Sequence, residues 1–294
     1  MSKFFIIVFL SLYSLNSTAK KVESTITYGI GERNTTVDWN IAGSLQGENP
    51  NIISELIWRN IKSKQLSLGG IWTEGDYFLQ ASGEYGKVYS GENQDSDYSL
   101  DDRQGEFSRS VNNAGKGYML DLELNYGKSH VVSPKLKIDA SFGYSIHRQH
   151  LKMYGGNQLI GSASLEGLDS LYQSNWEGPQ ASVGMSYKNK DDVYSLNYTH
   201  QDIDLNGHTN WNLRSDLKHP VSMTQAGSGN GKKIVVGYEH AVSDFSSLSL
   251  TLSRYNYSAS GVHTFHLLSS DPAQKLNAVN WQANDVKLVY RSLF

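Results

Sequence analysis

Apolar and polar residues alternate along most of the chain, with the two-residue period of a β-strand. In 281–294 the apolar side chains share one face and charged side chains the other. In 246–258 leucines alternate with serines and threonines, which are small enough for a barrel interior. Helical spacing is rare, so the sequence predicts an all-β protein.

Ten strands are predicted, and the connections between them alternate between short and long. The predicted strands are 22–34, 53–71, 76–90, 116–130, 135–154, 179–188, 193–205, 232–242, 246–258 and 281–294. The long polar connections are 35–52, 91–115, 155–178, 206–231 and 259–280. Short turns at one end and long loops at the other are typical of a barrel in the bacterial outer membrane. We therefore expect a ten-stranded antiparallel transmembrane β-barrel with long extracellular loops.

The N-terminus predicts export. Lys3 precedes an apolar run at 4–12, and small residues at 17–19 fit a cleavage site after Ala19. A transmembrane anchor is the alternative, but it needs about 20 apolar residues, more than this run supplies. The predicted division is a signal peptide at 1–19 and one barrel domain at 20–294.

Composition supports a membrane barrel over a soluble β-sandwich, which is the main alternative fold. The chain contains 18 Tyr, 6 Trp and 9 Phe, and aromatic residues accumulate at the two interfaces of such barrels. The absence of cysteine excludes disulfides, thiol catalysis and thiolate metal sites. A net charge of −3 argues against a nucleic-acid partner.

Strand number places the expected function at the extracellular rim. Barrels of about eight strands are filled by their own side chains, whereas aqueous porins have about 16 to 18 strands. A wide diffusion pore is therefore not expected, and a narrow solute channel is disfavoured. Binding or catalytic residues should lie in the loops and the upper barrel.

Asp95 and Asp97 form the first candidate site, within an acidic stretch. In an extended segment both side chains point the same way, and two close carboxylates raise each other's proton affinity. Such a pair can share a proton or hold a water molecule. The alternative is a solvated acidic loop.

The second candidate is the segment 202–208, in which Asp202, Asp204, Asn206 and His208 share one face. A histidine beside an acid can act as a general base near neutral pH. The same periodicity places this face with the side chains earlier in the predicted strand 193–205 that are assigned to lipid. Either a bulge turns these residues inward or they stand above the membrane. His263 and His266 lack further ligands in register, so no metal or other cofactor is indicated.

Several segments, in the same order along the chain, resemble the omptin family of outer-membrane proteases. Residues 54–59 (SELIWR) are similar to the family's S-Q-L-D-W-K, and 65–72 to its Q-I-S-I-G segment with a nearby Trp. The stretch 143–156 resembles G-Y-Q-E-S-R ending in G-G, and 95–98 (DSDY) resembles D-Q-D-W. The resemblance implies the same ten-stranded barrel.

The resemblance also implies a catalytic arrangement in which an Asp pair faces an Asp–His pair across the rim. Asp95 and Asp97 match the first pair, and His208 matches the base. The family's D-N-D-E-H reads D-L-N-G-H at 204–208, so Asn206 stands where the acid that orients the histidine is expected. An amide holds the ring but does not stabilise imidazolium by charge. In the catalytic triad of a serine protease, the same Asp-to-Asn change lowers kcat by about 10⁴.

Two more family features are implied, a pocket for basic side chains and a lipopolysaccharide contact. Glu32 and Asp204 match the acids of the pocket, which would attract cationic peptides. Tyr144 and Arg148 match the contact to lipopolysaccharide, although Ile146 replaces the acid between them. The expected partners are therefore outer-membrane lipid and cationic peptides or proteins.

Two functions remain open at this point. The first is an omptin-like outer-membrane endopeptidase acting on peptides with basic residues at the barrel rim. The second is a catalytically decayed surface protein with the same fold, either an adhesin or a binder of cationic ligands. The matches at Asp95, Asp97 and His208 favour the endopeptidase, and Asn206 is the reason to keep the second function as the alternative.

Overall fold

The computed structural model describes residues 22–294, so the predicted signal peptide lies outside the described part. The ten predicted strands are all present. They are β1 Glu23–Ile41, β2 Ser54–Glu74, β3 Tyr77–Tyr98, β4 Glu106–Ser133, β5 Leu136–Ile160, β6 Asp169–Asn189, β7 Asp192–Asn210, β8 Met223–Ser243, β9 Ser246–Phe265 and β10 Ala273–Leu293. Within residues 22–294 no helix is long and apolar enough to cross a membrane.

The strands form one closed antiparallel barrel in which each strand pairs with its neighbours in sequence and β1 pairs with β10. Closure leaves no unpaired sheet edge, which is what allows a β-structure to lie in hydrocarbon. Two-residue turns join β2 to β3, β4 to β5, β6 to β7 and β8 to β9 at the end that carries both termini. The predicted all-β barrel fold is confirmed.

An apolar band surrounds the lower half of the barrel on its outer face. On β3 it runs from Tyr77 to Tyr85, and on β5 from Ile138 to Tyr144. A tilted strand crosses a bilayer in about 9–11 residues, so each strand has more residues than the crossing requires. The upper part of the barrel therefore stands above the lipid.

The predicted loops are shorter than expected because strand pairing continues above the membrane. The actual connections there are 42–53, 99–105, 161–168, 211–222 and 266–272. Above the lipid the outer face meets water, so the apolar alternation fades although the backbone ladder continues. Both candidate sites consequently lie on strands, the first on β3 and the second on β7.

An irregularity in the register changes which side chains face the interior of β2 and β3. The pairing shifts between Arg59 and Ser63, and Asn60 adopts a positive φ of 51°. Below it Val88 is buried inside the barrel, and above it Asn93 is buried inside as well. The alternation has therefore changed phase between these two residues, as is usual at a β-bulge.

The barrel interior is filled by two kinds of buried side chain. Four tryptophans are at most 1 % exposed, namely Trp39, Trp58, Trp176 and Trp281. At the level of the lipid, buried Arg33 bonds Glu84 at 2.7 Å, Asp121 at 2.7 Å and Asp285 at 3.2 Å. This filling argues against an open diffusion pore, as expected for a barrel of this size.

Candidate functional site

The Asp95–Asp97 pair projects into the mouth of the barrel from the upper part of β3. Asp95 lies in register between Leu56 of β2 and Ser110 of β4, all on the inner face. Asp97 lies one step higher, between Ser54 and Ser108. The predicted shared orientation of the two carboxylates is confirmed, and they line one cavity.

This mouth cavity has a volume of about 480 Å³. Its wall combines the two carboxylates with aromatic side chains from four separate segments, Trp39, Phe107, Trp211 and Phe265. Small-molecule sites are concave, mostly apolar and about 300–1,000 Å³ in size, with a few polar groups that fix the ligand. The mouth cavity has these properties.

Burial raises the pKa of both carboxyl groups. Burial is the main reason that the pKa of Asp95 lies well above its ordinary value of 3.8, and the charge of Asp97 adds to it. Burial also raises the pKa of Asp97, against the opposing effects of Ser54, Arg214 and Ser108. A bound cation would offset both causes by supplying an opposite charge to the desolvated pair.

Arg214, in the connection between β7 and β8, lines the same cavity and provides a nearby positive charge. Its guanidinium donates two hydrogen bonds to Asp216, at 2.8 and 2.7 Å. This ion pair fixes the arginine beside the carboxylates, on which it acts through its charge. The positive charge of Arg214 therefore reduces the electrostatic attraction of the mouth for a cationic ligand.

His208 does not face the Asp pair, so the expected meeting of the two motifs is wrong. β7 pairs with β8 without a register shift from Asp192 to Thr209, so no bulge changes its phase. His208 therefore shares the outer face with lipid-facing Tyr198. Burial lowers the pKa of His208, and the positive charges of His150 and Arg148 lower it further.

Three more predicted site residues lie on the outer face, contrary to expectation. Asp204 and Asn206 are exposed and alternate with inward-facing residues of β7. Glu32 of β1 is exposed beside Tyr89, while its neighbour Arg33 points inward. No phase change intervenes on either strand, so these acids do not form a pocket with Asp95.

The residues matched to the lipopolysaccharide contact are also on the outer face. Tyr144 is 46 % exposed at the upper part of the apolar band. Arg148 stands higher on β5 and donates from Nε to Oδ1 of Asn175 at 2.8 Å. Their position is that of a lipid–water boundary, and lipopolysaccharide binding stays a prediction.

Sequence reasoning missed several groups of the mouth cavity. Trp39, Asn112 and Gln274 line it from β1, β4 and β10, and Arg214 from a loop. Each is an isolated polar or aromatic residue without a local motif. The one indication in the sequence is the alternation of inward- and outward-facing residues along each strand. It assigns a residue to the interior only when the strand pairing is known.

Chemically, the mouth holds two carboxyl groups with raised pKa values, one cation and an aromatic wall. On β7, the inner positions at this height are Leu205, Gly207 and Thr209, none of which accepts a proton near neutral pH. In the described chain, no three His, Asp or Glu residues are grouped as a metal site. The arrangement can hold a cation. Buried His263 of β9 also faces the barrel interior, but burial lowers its pKa to about 3, so it is a poor base near neutral pH.

The fold and this mouth define the class as an outer-membrane β-barrel. A family model described as Protochlamydia outer membrane protein matches residues 27–292. The chain belongs to this family and is located in the bacterial outer membrane. No curated protein matches the chain.

Among solved structures, the outer membrane protease OmpT from Escherichia coli has the same fold, with a TM-score of 0.77. It is 14% identical and the match covers 96% of this chain and 99% of that chain. The fold of the chain is therefore the omptin barrel.

Two more barrels match far less well. The translocator domain of NalP from Neisseria meningitidis has a TM-score of 0.37 and 8% identity, and the match covers 90% of this chain and 88% of that chain. OprG from Pseudomonas aeruginosa has a TM-score of 0.34 and 8% identity, and the match covers 94% of this chain and 97% of that chain. Scores this low carry no argument about function.

Proposed function

We propose that this protein is an omptin-fold surface barrel that binds a cationic ligand, such as a basic peptide, at its mouth without hydrolysing it. The observation that carries the proposal is the pair Asp95 and Asp97 in the wall of the mouth cavity, with His208 on the other side of the barrel wall. An acidic, partly desolvated cleft attracts cations from solution and holds them more strongly than a solvated loop does.

The position of His208 on the outer face is the reason to prefer binding over hydrolysis. Water activation requires a group within hydrogen-bond reach of the water that accepts its proton near neutral pH. His208, the expected base, has cationic neighbours and lies outside the cavity.

An omptin-like endopeptidase is the second candidate. It is favoured by the Asp pair, which stands in the mouth of a barrel with the omptin fold. In that case Asp95 and Asp97 would hold the attacking water, and the proton acceptor would be a group other than His208.

The two candidates are separated by measuring binding and cleavage on the same sample. The refolded barrel is incubated with a fluorogenic peptide containing two consecutive basic residues, between pH 5 and 8. A ligand-binding barrel gives saturable binding and no turnover, and the double variant Asp95→Asn/Asp97→Asn loses the binding. His208→Ala is the matched control, because it removes an ionisable side chain from the outer face and should bind normally.

Turnover that disappears in the double variant would establish the endopeptidase and reject binding alone. Absence of saturable binding and of turnover in the wild type would reject both candidates.

A further inference from the structure

Three buried polar atoms in the wall of the mouth cavity have no hydrogen-bond partner within residues 22–294. They are the indole nitrogen of Trp39, Oδ1 of Asn112 and Oε1 of Gln274. Trp39 and Asn112 are 1 % and 2 % exposed, so bulk water does not reach them freely. Leaving such a group unpaired is unfavourable, so each is a group that a bound ligand or an ordered water molecule would satisfy.

Two of the three unpaired atoms, those of Trp39 and Asn112, lie close in register to the carboxylates. Trp39 pairs with Leu56, which in turn pairs with Asp95, so the indole and the carboxylate lie on the same row of the sheet. Asn112 lies one step below Asp95, opposite Asn93. A ligand anchored by a positive charge at the carboxylates therefore has neutral hydrogen-bonding groups beside and beneath that charge.

We infer that the mouth cavity binds a hydroxylated amine of the amino-sugar class, with its ammonium at Asp95 and Asp97 and its hydroxyls at Trp39, Asn112 and Gln274. This inference rests on the proposed function, since it takes the carboxylates as the site of a cation. It adds the chemical class of the remainder of the ligand.

The donors and acceptors of the cavity match hydroxyl groups. The indole N–H of Trp39 only donates, whereas the amide oxygens of Asn112 and Gln274 only accept. A hydroxyl does both, so a ligand that carries several hydroxyls has the chemistry to satisfy all three atoms. The alkyl stem of a lysine side chain makes no hydrogen bonds, so a lysine ammonium at the carboxylates leaves these atoms to other groups of the ligand.

The remaining wall suits the apolar face of a sugar ring. Trp39 and Phe265 come from β1 and β9, and Phe107 and Trp211 from the upper rim. Flat aromatic surfaces pack against C–H groups over a large area and at little entropic cost. The volume of about 480 Å³ is in the range of small-molecule sites.

The test compares three probes on the full refolded barrel: glucosamine, cyclohexylamine and glucose. Glucosamine has the ring, ammonium and hydroxyls, cyclohexylamine lacks the hydroxyls, and glucose lacks the ammonium. Saturation-transfer NMR detects binding, and competition titration gives relative affinities. We expect glucosamine to bind about tenfold or more tightly than either of the others, since each well-made hydrogen bond contributes up to about tenfold.

Variants assign this preference to the named atoms. Trp39→Phe keeps an aromatic ring and removes the donor, so glucosamine affinity should fall by about three- to tenfold and cyclohexylamine affinity should not change. Should this variant refold poorly, Gln274→Met at the rim gives the same comparison. Asp95→Asn/Asp97→Asn should lose both amines.

Each contrary result has a distinct meaning. If cyclohexylamine binds as tightly as glucosamine, the inference is overturned while the proposed cation site stands. If glucose binds as tightly as glucosamine, the carboxylates are not the anchor and the inference fails. If the wild type binds neither amine nor basic peptide, the proposed function fails as well.

Discussion

Asp95 lines the mouth cavity, whereas His208 lies on the outer surface of the barrel beside His150 and Arg148. The two residues match groups that face each other in the omptin arrangement. The two residues are separated because their strands differ in which alternate residues face inward. On β3 the inward-facing set changes at the register irregularity near Asn60, whereas β7 pairs regularly to its end and keeps its inward-facing set unchanged. The protein therefore keeps the acid pair of the motif and not its opposing base.

Substitutions on the outer face of β7 should not affect the mouth. We expect His208→Ala and Asn206→Asp to change ligand affinity, and any turnover, by less than about twofold, as is usual for surface positions. The measurement is peptide binding and cleavage by each refolded variant. An increase in turnover in Asn206→Asp would show that this position does orient a catalytic histidine.

Binding of a cation should depend on pH through the carboxylate pair. The pKa of Asp95 is raised by burial and by Asp97, so protons compete with the ligand in acid. As pH rises above the ordinary carboxyl pKa of 3.8 and through the raised pKa of the pair, the protonated fraction falls, and affinity for a permanently charged cation should increase. Titration with a quaternary ammonium probe measures this dependence. In Asp95→Asn/Asp97→Asn the remaining binding should be weak and independent of pH; a profile like the wild type would exclude the pair.

Arg214 should weaken the binding of cations, because its positive charge lies beside the carboxylates. Arg214→Gln is expected to tighten cation binding about two- to fivefold, a typical effect of one partly exposed charge. Lys218→Gln is the matched control, since Lys218 is in the same loop and pairs with Asp271 at 2.9 Å outside the cavity. Equal effects of the two variants would indicate a general change in surface charge.

The fold was predictable from the sequence because each lipid-crossing strand carries its own alternating pattern. The band from Tyr77 to Tyr85 on β3, for example, is visible in the sequence before any pairing is known. Above the lipid the outer face meets water and this signal ends. Residues 91–98 therefore looked like a loop although they continue β3.

The site was predicted in part, and the reason lies in strand phase. On β7, the two-residue periodicity that starts from Tyr198 places His208 on the outer face, whereas the family motif places it in the mouth. The structure agrees with the periodicity. On β3, the same periodicity from Tyr85 would have placed Asp95 outside as well. The phase change above Val88, at a β-bulge that the sequence did not reveal, turns Asp95 inward.

The buried ion-pair cluster below the mouth should be essential for stability. Arg33→Ala leaves Glu84, Asp121 and Asp285 without their shared partner, and removing one member of a buried pair costs about 3–5 kcal/mol. Urea unfolding of the refolded barrel in detergent micelles measures this loss. Exposed Arg59 is the control, and Arg59→Ala should change the free energy of unfolding by less than about 0.5 kcal/mol. Equal stability of the two variants would contradict the role of the cluster.

His208 and the Asp pair lie on different sides of the barrel wall. NMR titration of the His208 imidazole tests this arrangement most directly. The resonance is assigned by its loss in His208→Gln. Because the positive charge of Arg148 lowers the pKa of His208, Arg148→Gln should raise it, and Asp95→Asn/Asp97→Asn should leave it unchanged. A lower His208 pKa in the double Asp variant, with no response to Arg148→Gln, would place the histidine opposite the carboxylates and contradict the account.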